Sequence, residues 1–155
     1  MTTFSFKSVG KTREERLTQQ LIESDTPIGI KTPLRPGTQE GLFAMHYNLP
    51  DQVHDNLRNL ILTNWGERVG FYDFGANLRP LMTEFVSQDN FDVQAIERIS
   101  SAVQRWMPFV SLETFESIVD RVQNKNTAII KLTIVYNIPA LNVSKKAMQV
   151  TLYAI

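Results

Sequence analysis

The 155-residue chain has no cysteine and only two histidines. The first absence excludes disulfides and thiolate metal sites and fits assembly in a reducing cytoplasm. The second leaves little for a metal centre: His54 has only Asp55 and Arg58 nearby, at the wrong spacing for zinc, and reads as a surface histidine. An excess of charge is missing too. Sixteen Lys and Arg balance sixteen Asp and Glu, without the basic surplus that nucleic-acid binding normally shows. No run of about 18 apolar residues exists, and the N-terminal MTTFSFKSVGKTREERL lacks a continuous apolar segment, so neither a membrane span nor a signal peptide is expected. Gly29 and Gly37 are followed by no G-K-S/T sequence and do not form a phosphate loop. What remains is a neutral chain of a length that suits one domain, residues 49–155, with an N-terminal arm, residues 1–48, and no expected cofactor.

The stretch from Asp51 to Met82 organises the rest. Val53, Leu57, Leu60 and Ile61 recur at the spacing of one helical face, with Asp51, Asp55 and Arg58 assigned to the other. Asn64, Trp65 and Gly66 stop that helix, because Gly or Asn takes the left-handed conformation beyond a last turn most readily. Gly70 and Gly75 bracket Phe71, Tyr72, Asp73 and Phe74. Leu78, Leu81 and Phe85 then resume helical spacing, and Pro80 is tolerable near a helix start.

Before this stretch, Phe4 and Phe6 alternate weakly and Arg13 to Glu23 suits a short helix. From Asp25 to Gly41, the prolines at 27, 33 and 36 with Gly29, Gly37 and Gly41 oppose a helix and predict an extended arm. Ile28, Ile30, Leu34, Leu42, Phe43 and Met45 make it more apolar than a solvated linker, so it is expected to lie along a surface of its own core or a neighbour's. After the stretch, Asn90 or Asp92 can cap a helix with Val93, Ile96, Ile99, Val103 and Trp106 inward, ending at Met107 before Pro108. Residues 110–122 read as a strand whose phase slips between Leu112 and Phe115, consistent with a bulge. Residues 123–127 connect it to a second strand with Ile130, Leu132, Ile134 and Tyr136 on one side. Pro139 closes that strand, Asn142 to Lys145 turn the chain, and Met148, Val150 and Leu152 alternate in a third. The expected fold is α+β: two to three amphipathic helices on a small C-terminal antiparallel sheet of about three strands, with an extended N-terminal arm. A last strand containing Val150 and Leu152 leaves an edge that another chain can extend.

The run Leu62, Thr63, Asn64, Trp65, Gly66, Glu67, Arg68, followed by Asp73, Phe74, Gly75 and Leu78, resembles the signature of the small baseplate wedge protein of contractile-tailed phages. The same family includes the baseplate component of type VI secretion systems. The resemblance spans about residues 51 to 136. Trp65 stands where the family usually has proline. A later family element, an aromatic followed by Glu-Pro-Arg and a β-branched residue, is here Trp106, Met107, Pro108, Phe109 and Val110, with both charged positions apolar. In the family this element is implicated in contacts with a neighbouring wedge protein. Met107 and Phe109 either bury apolar area at that junction or complete this domain's own core. The resemblance implies a structural virion protein of the tail baseplate, assembled in the host cytoplasm and present in several copies in a symmetric baseplate. Its implied partners are other wedge proteins and the tail sheath subunit, whose polymerisation the C-terminal strands would start. The long arm favours a phage origin.

Two other functional classes compete. A murein hydrolase would need two carboxyls about 5–9.5 Å apart across a cleft, one of them with a raised pKa. Glu67 and Asp73 are the best pair, but Arg68 beside Glu67 should lower its pKa, the wrong direction for an acid. Arg68 is expected instead to bond a carboxylate or helix-end carbonyls and pin the turn to Asp73, Phe74 and Gly75. Trp65 is either a buried lid on the first helix or an exposed interface anchor. The third class is a regulatory protein-binding module, since the wedge fold resembles a bacterial stress-response anti-adaptor. The expectation is a non-enzymatic assembly protein.

Overall fold

The computed structural model describes residues 27–37, 42–83, 88–121 and 128–154. The alternation at Phe4 and Phe6, the helix at 13–23, Phe85 and the connection at 123–127 lie outside them. The chain divides into two units, Met1–Asn48 and Leu49–Ile155.

In the first unit the extended segment doubles back. Strands β1 (Gly29–Ile30) and β2 (Met45–His46) pair antiparallel, with Gly29 opposite His46. Further bonds run from Lys31 N–H to the Ala44 carbonyl and from Ala44 N–H to the Arg35 carbonyl, 2.9 Å each. Pairing satisfies backbone groups that proline spacing denies to a helix. Ile28, Leu34 and Leu42 stay exposed.

The second unit places helices on one face of a three-stranded sheet. Helix α1 (Leu49–Leu62) buries Val53, Leu57, Leu60 and Ile61, as its spacing requires. Each fully buried aliphatic chain contributes about 1.5–3 kcal/mol. Asp55 is also buried, against expectation. It sits two residues from Val53 and Leu57, on the other side of the helix from their apolar stripe, and it has interactions of its own there. Helix α2 (Arg79–Thr83) carries Pro80 as its second residue, where no amide hydrogen is needed, and buries Leu81.

Helix α3 (Gln88–Trp106) starts before Asn90 and Asp92, so neither caps it, and its inward face differs from the expected one. Phe91, Ala95, Ile99, Ala102 and Val103 are buried, whereas Val93 is 67% and Ile96 43% exposed. Ala95 and Ala102 allow a close backbone approach that branched side chains would block.

Strands β3 (Ser111–Arg121), β4 (Ala128–Ile138) and β5 (Val143–Ala154) form an antiparallel sheet in that order, with β4 central. The expected phase slip is a bulge between Leu112 and Thr114. It brings Leu112 and Phe115, three apart, to the same face, opposite Tyr136 and Ile134. Ile130, Leu132, Ile134, Tyr136 and Ile138 are buried beneath the helices. α1 and α2 pack toward β5, α3 toward β3. A 3-10 turn, Pro139–Leu141, ends at Asn142 in the left-handed conformation (φ 53°), and β5 begins directly after it. It therefore already includes Lys145, which was expected in the turn.

Candidate functional site

The link between α1 and α2 is built from side chains that serve each other. Past Leu62, the Thr63 hydroxyl donates to the Asn59 carbonyl at 2.6 Å. Asn64 donates through its backbone N–H (2.8 Å) and side-chain amide (3.0 Å) to the two Glu67 oxygens. Its own Oδ1 accepts from the Arg79 N–H, 3.0 Å away, at the start of α2. Glu67 in turn pairs with Arg79 at 3.2 Å. One asparagine thus ties the end of one helix to the beginning of the next. Gly66 takes the left-handed conformation (φ 84°) expected after a last turn, and its N–H reaches the Tyr72 carbonyl at 2.8 Å, closing the loop.

The Glu67 carboxyl is held below its ordinary 4.5, first by the two Asn64 bonds and further by the Arg79 cation. Asn64 and Arg79, not the adjacent Arg68, account for the shift. Ionised at neutral pH, Glu67 has no proton to donate. The Asp73 carboxylate forms an ion pair with Arg105. The sequence brings an acid to each end of the loop, and the fold gives each its own arginine.

Arg68 departs from its expected role as well. Its guanidinium lies over the Phe74 ring, 4.3 Å from the centroid, so the turn is pinned to the Asp73–Phe74–Gly75 segment by a cation–π contact and not by a carboxylate. Phe74 continues into Trp106 (5.2 Å, edge to face), Phe71 meets the same indole at 5.8 Å, and Arg105 lies 5.2 Å from it. This cation and aromatic series fastens the loop to the last turn of α3. It includes Trp106, the first residue of the altered element.

The rest of that element splits. Met107 and Val110 are buried in the core, while Pro108 and Phe109 face outward, Phe109 with 47% of its surface exposed. The two apolar residues of this element therefore have different destinations: Met107 completes this domain and Phe109 does not. Val150 and Leu152, expected at a binding surface, are buried under the helices. They alternate toward the core face, so what β5 can offer a partner is its backbone edge, not these two side chains.

Trp65 is not a buried lid on the first helix. Its Nε1 donates to the Gly75 carbonyl at 3.1 Å, which fixes the ring over the loop, yet 59% of it remains exposed. Trp65 and Tyr72 of the loop and Gln94, Glu97, Ser101 and Trp106 of α3 line a groove of about 560 Å³.

Several residues that shape the site were not singled out from sequence. The sequence marks Asn64 as a helix stop and a motif residue but not as a tie between two helices, and it marks neither Arg79 nor Arg105. His54 is half-buried, not a solvated surface histidine, with Nδ1 2.7 Å from the Tyr136 hydroxyl. Burial, and then the Lys146 cation, lower its pKa from 6.5, while burial pushes Tyr136 up to about 12. Lys146 pairs with Asp51 at 2.9 Å, giving α1 a second polar tie to the sheet. Among the described residues no cluster of three or more His, Asp or Glu could hold a metal ion.

No protein-family model and no curated protein matches the sequence. Solved structures do. One chain of the anti-feeding prophage baseplate, from a cryo-EM structure symmetrised six-fold, superposes with a TM-score of 0.58 at 17% identity, covering 74% of this chain and 86% of that one. The crystal structure of a "putative tail lysozyme" from Geobacter sulfurreducens gives 0.49 at 17% identity over 71% and 93%. At such identity the likeness to the baseplate chain is one of fold.

Proposed function

We propose that the chain is a structural component of a contractile-tail baseplate wedge and not an enzyme. The observation that carries this reading is the fold it shares with a chain of the anti-feeding prophage baseplate. The ordered motif from Leu62 to Leu78 supports it, since its charged residues are engaged in bracing a loop. In this reading other wedge proteins meet the end of the domain where Trp65, Trp106, Pro108 and Phe109 lie. The edge of β5 offers backbone groups to the tail sheath subunit and starts sheath assembly. Several copies sit symmetrically in the virion tail, after assembly in the host cytoplasm.

A hydrolase using Glu67 and Asp73 is disfavoured by the lowered pKa of the first and the arginine partner of the second. Nothing specific favours a regulatory binding module. Co-expression with candidate wedge and sheath proteins, with and without residues 1–45, tests the proposal. Stable co-purification is expected. Failure to associate with any of them overturns the wedge assignment. Peptidoglycan turnover by the purified protein, abolished by Glu67→Gln, overturns the non-enzymatic part.

A further inference from the structure

The groove between the loop and the outward face of α3 has a composition that the bracing of the turn does not explain. The loop side is aromatic: Trp65 and Tyr72, 59% and 72% exposed. Exposed rings of this size in one concavity have apolar area to lose on binding. Trp65 is held in place by its bond to the Gly75 carbonyl, so its free face is set before any ligand arrives. Gly75, Ala76 and Ala102 also line the groove, and residues this small fill little of it. The opposite wall carries neutral and charged hydrogen-bonding groups, Gln94, Ser101 and Glu97 among them.

Charge narrows the choice of ligand. Arg98 and Arg105 are balanced by Asp73 and Glu97. Arg105 is committed to Asp73, and Arg98 donates to the Asn77 carbonyl. A phosphate or other anion would find its arginines engaged and a carboxylate beside them, and a cation would meet two guanidinium groups. A pyranose ring presents an apolar C–H face on one side and neutral hydroxyls at its rim. It matches a wall of rings facing a wall of amide, hydroxyl and carboxylate. The volume, about 560 Å³, lies within the range of small-molecule sites, roughly 300–1,000 Å³.

We propose that this groove binds a neutral oligosaccharide, stacked on Trp65 and Tyr72 and hydrogen-bonded from α3, without cleaving it. The groove belongs to the second unit alone, but it shares Trp65 and Trp106 with the end of the domain assigned above to wedge proteins, so the test uses the chain without those partners. The test titrates the full chain with chitotriose and with maltotriose, following the two indole N–H signals by NMR. Saturable shifts of the indole signals with either sugar are expected, and preference for chitotriose identifies an N-acetylated source. Tyr72→Ala should weaken binding roughly five- to tenfold with unchanged melting, since Tyr72 is 72% exposed. Ser101→Trp, which fills the groove from the helix side, should abolish it. No shift at millimolar sugar overturns the proposal, as do shifts that both variants leave intact.

Discussion

Gly75 lies against the backbone of Thr63 so closely that a Cβ built on it would overlap the Thr63 carbonyl oxygen. Its φ of 111° is one that side-chain-bearing residues rarely adopt. Two constraints therefore coincide where the loop returns to the end of α1. Gly75→Ala is expected to cost roughly 3 kcal/mol or more, since strain and overpacking add. Gly70→Ala has a similar φ of 82° but open space around it, and should cost only about 1–2 kcal/mol. Denaturant midpoints of the two variants decide this, and equal losses would show that the Thr63 contact does not matter.

Asn64 has the opposite character, since its contribution lies in three hydrogen bonds to Glu67 and Arg79. Asn64→Ala keeps the backbone donor and loses the two side-chain bonds. At this partly exposed site we expect a loss of about 1 kcal/mol. A companion effect follows from Glu67, whose folded pKa is depressed below 4.5. The stability it contributes is present above that value and is lost as pH falls through the folded pKa. In Asn64→Ala the acid limb of the stability profile should flatten, and an unchanged limb would assign the depression elsewhere.

How far the sequence announces this arrangement depends on the range of the interactions. The inward face of α1 and the bulge after Leu112 are local patterns, visible as spacing and as a slip in phase. α3 misleads because Val93 and Ile96 weigh more on any hydropathy reading than Ala95 and Ala102, although close packing selects the small residues. Arg68 misleads for another reason. Its sequence neighbour is a carboxylate, but Asn64 and Arg79 already hold that carboxylate, and the ring of Phe74 is what remains within reach. Arg105 and Asp73 are 32 positions apart, and only the packing of the loop on α3 brings them together. Val150 was read correctly as one side of an alternating strand, but alternation alone does not say which side the helices cover.

His54 provides a pH dependence with a definite sign. Its folded pKa is lowered from 6.5 by burial and by Lys146. The unfolded chain therefore takes up the proton first as pH falls. Stability is full above 6.5, decreases below it, and stops decreasing once pH is under the folded value. Melting temperature should drop as pH falls through 6.5 more steeply in the native chain than in His54→Gln, which can still bond the Tyr136 hydroxyl. Parallel profiles would mean that His54 titrates alike in both states.

Met107 and Phe109 separate core from surface within a single turn, which makes the proposed interface testable without ambiguity about folding. Met107 is buried, and Met107→Ala should cost about 2–5 kcal/mol in the isolated domain. Phe109 is 47% exposed, so Phe109→Glu should change stability by no more than about 0.5 kcal/mol. Restoring a charge there removes apolar area that the proposed wedge contact would bury. If Phe109 belongs to that contact, Phe109→Glu melts like the native protein and fails to co-purify with its wedge partners. Full co-purification of a stably folded Phe109→Glu would move the interface away from the end of α3.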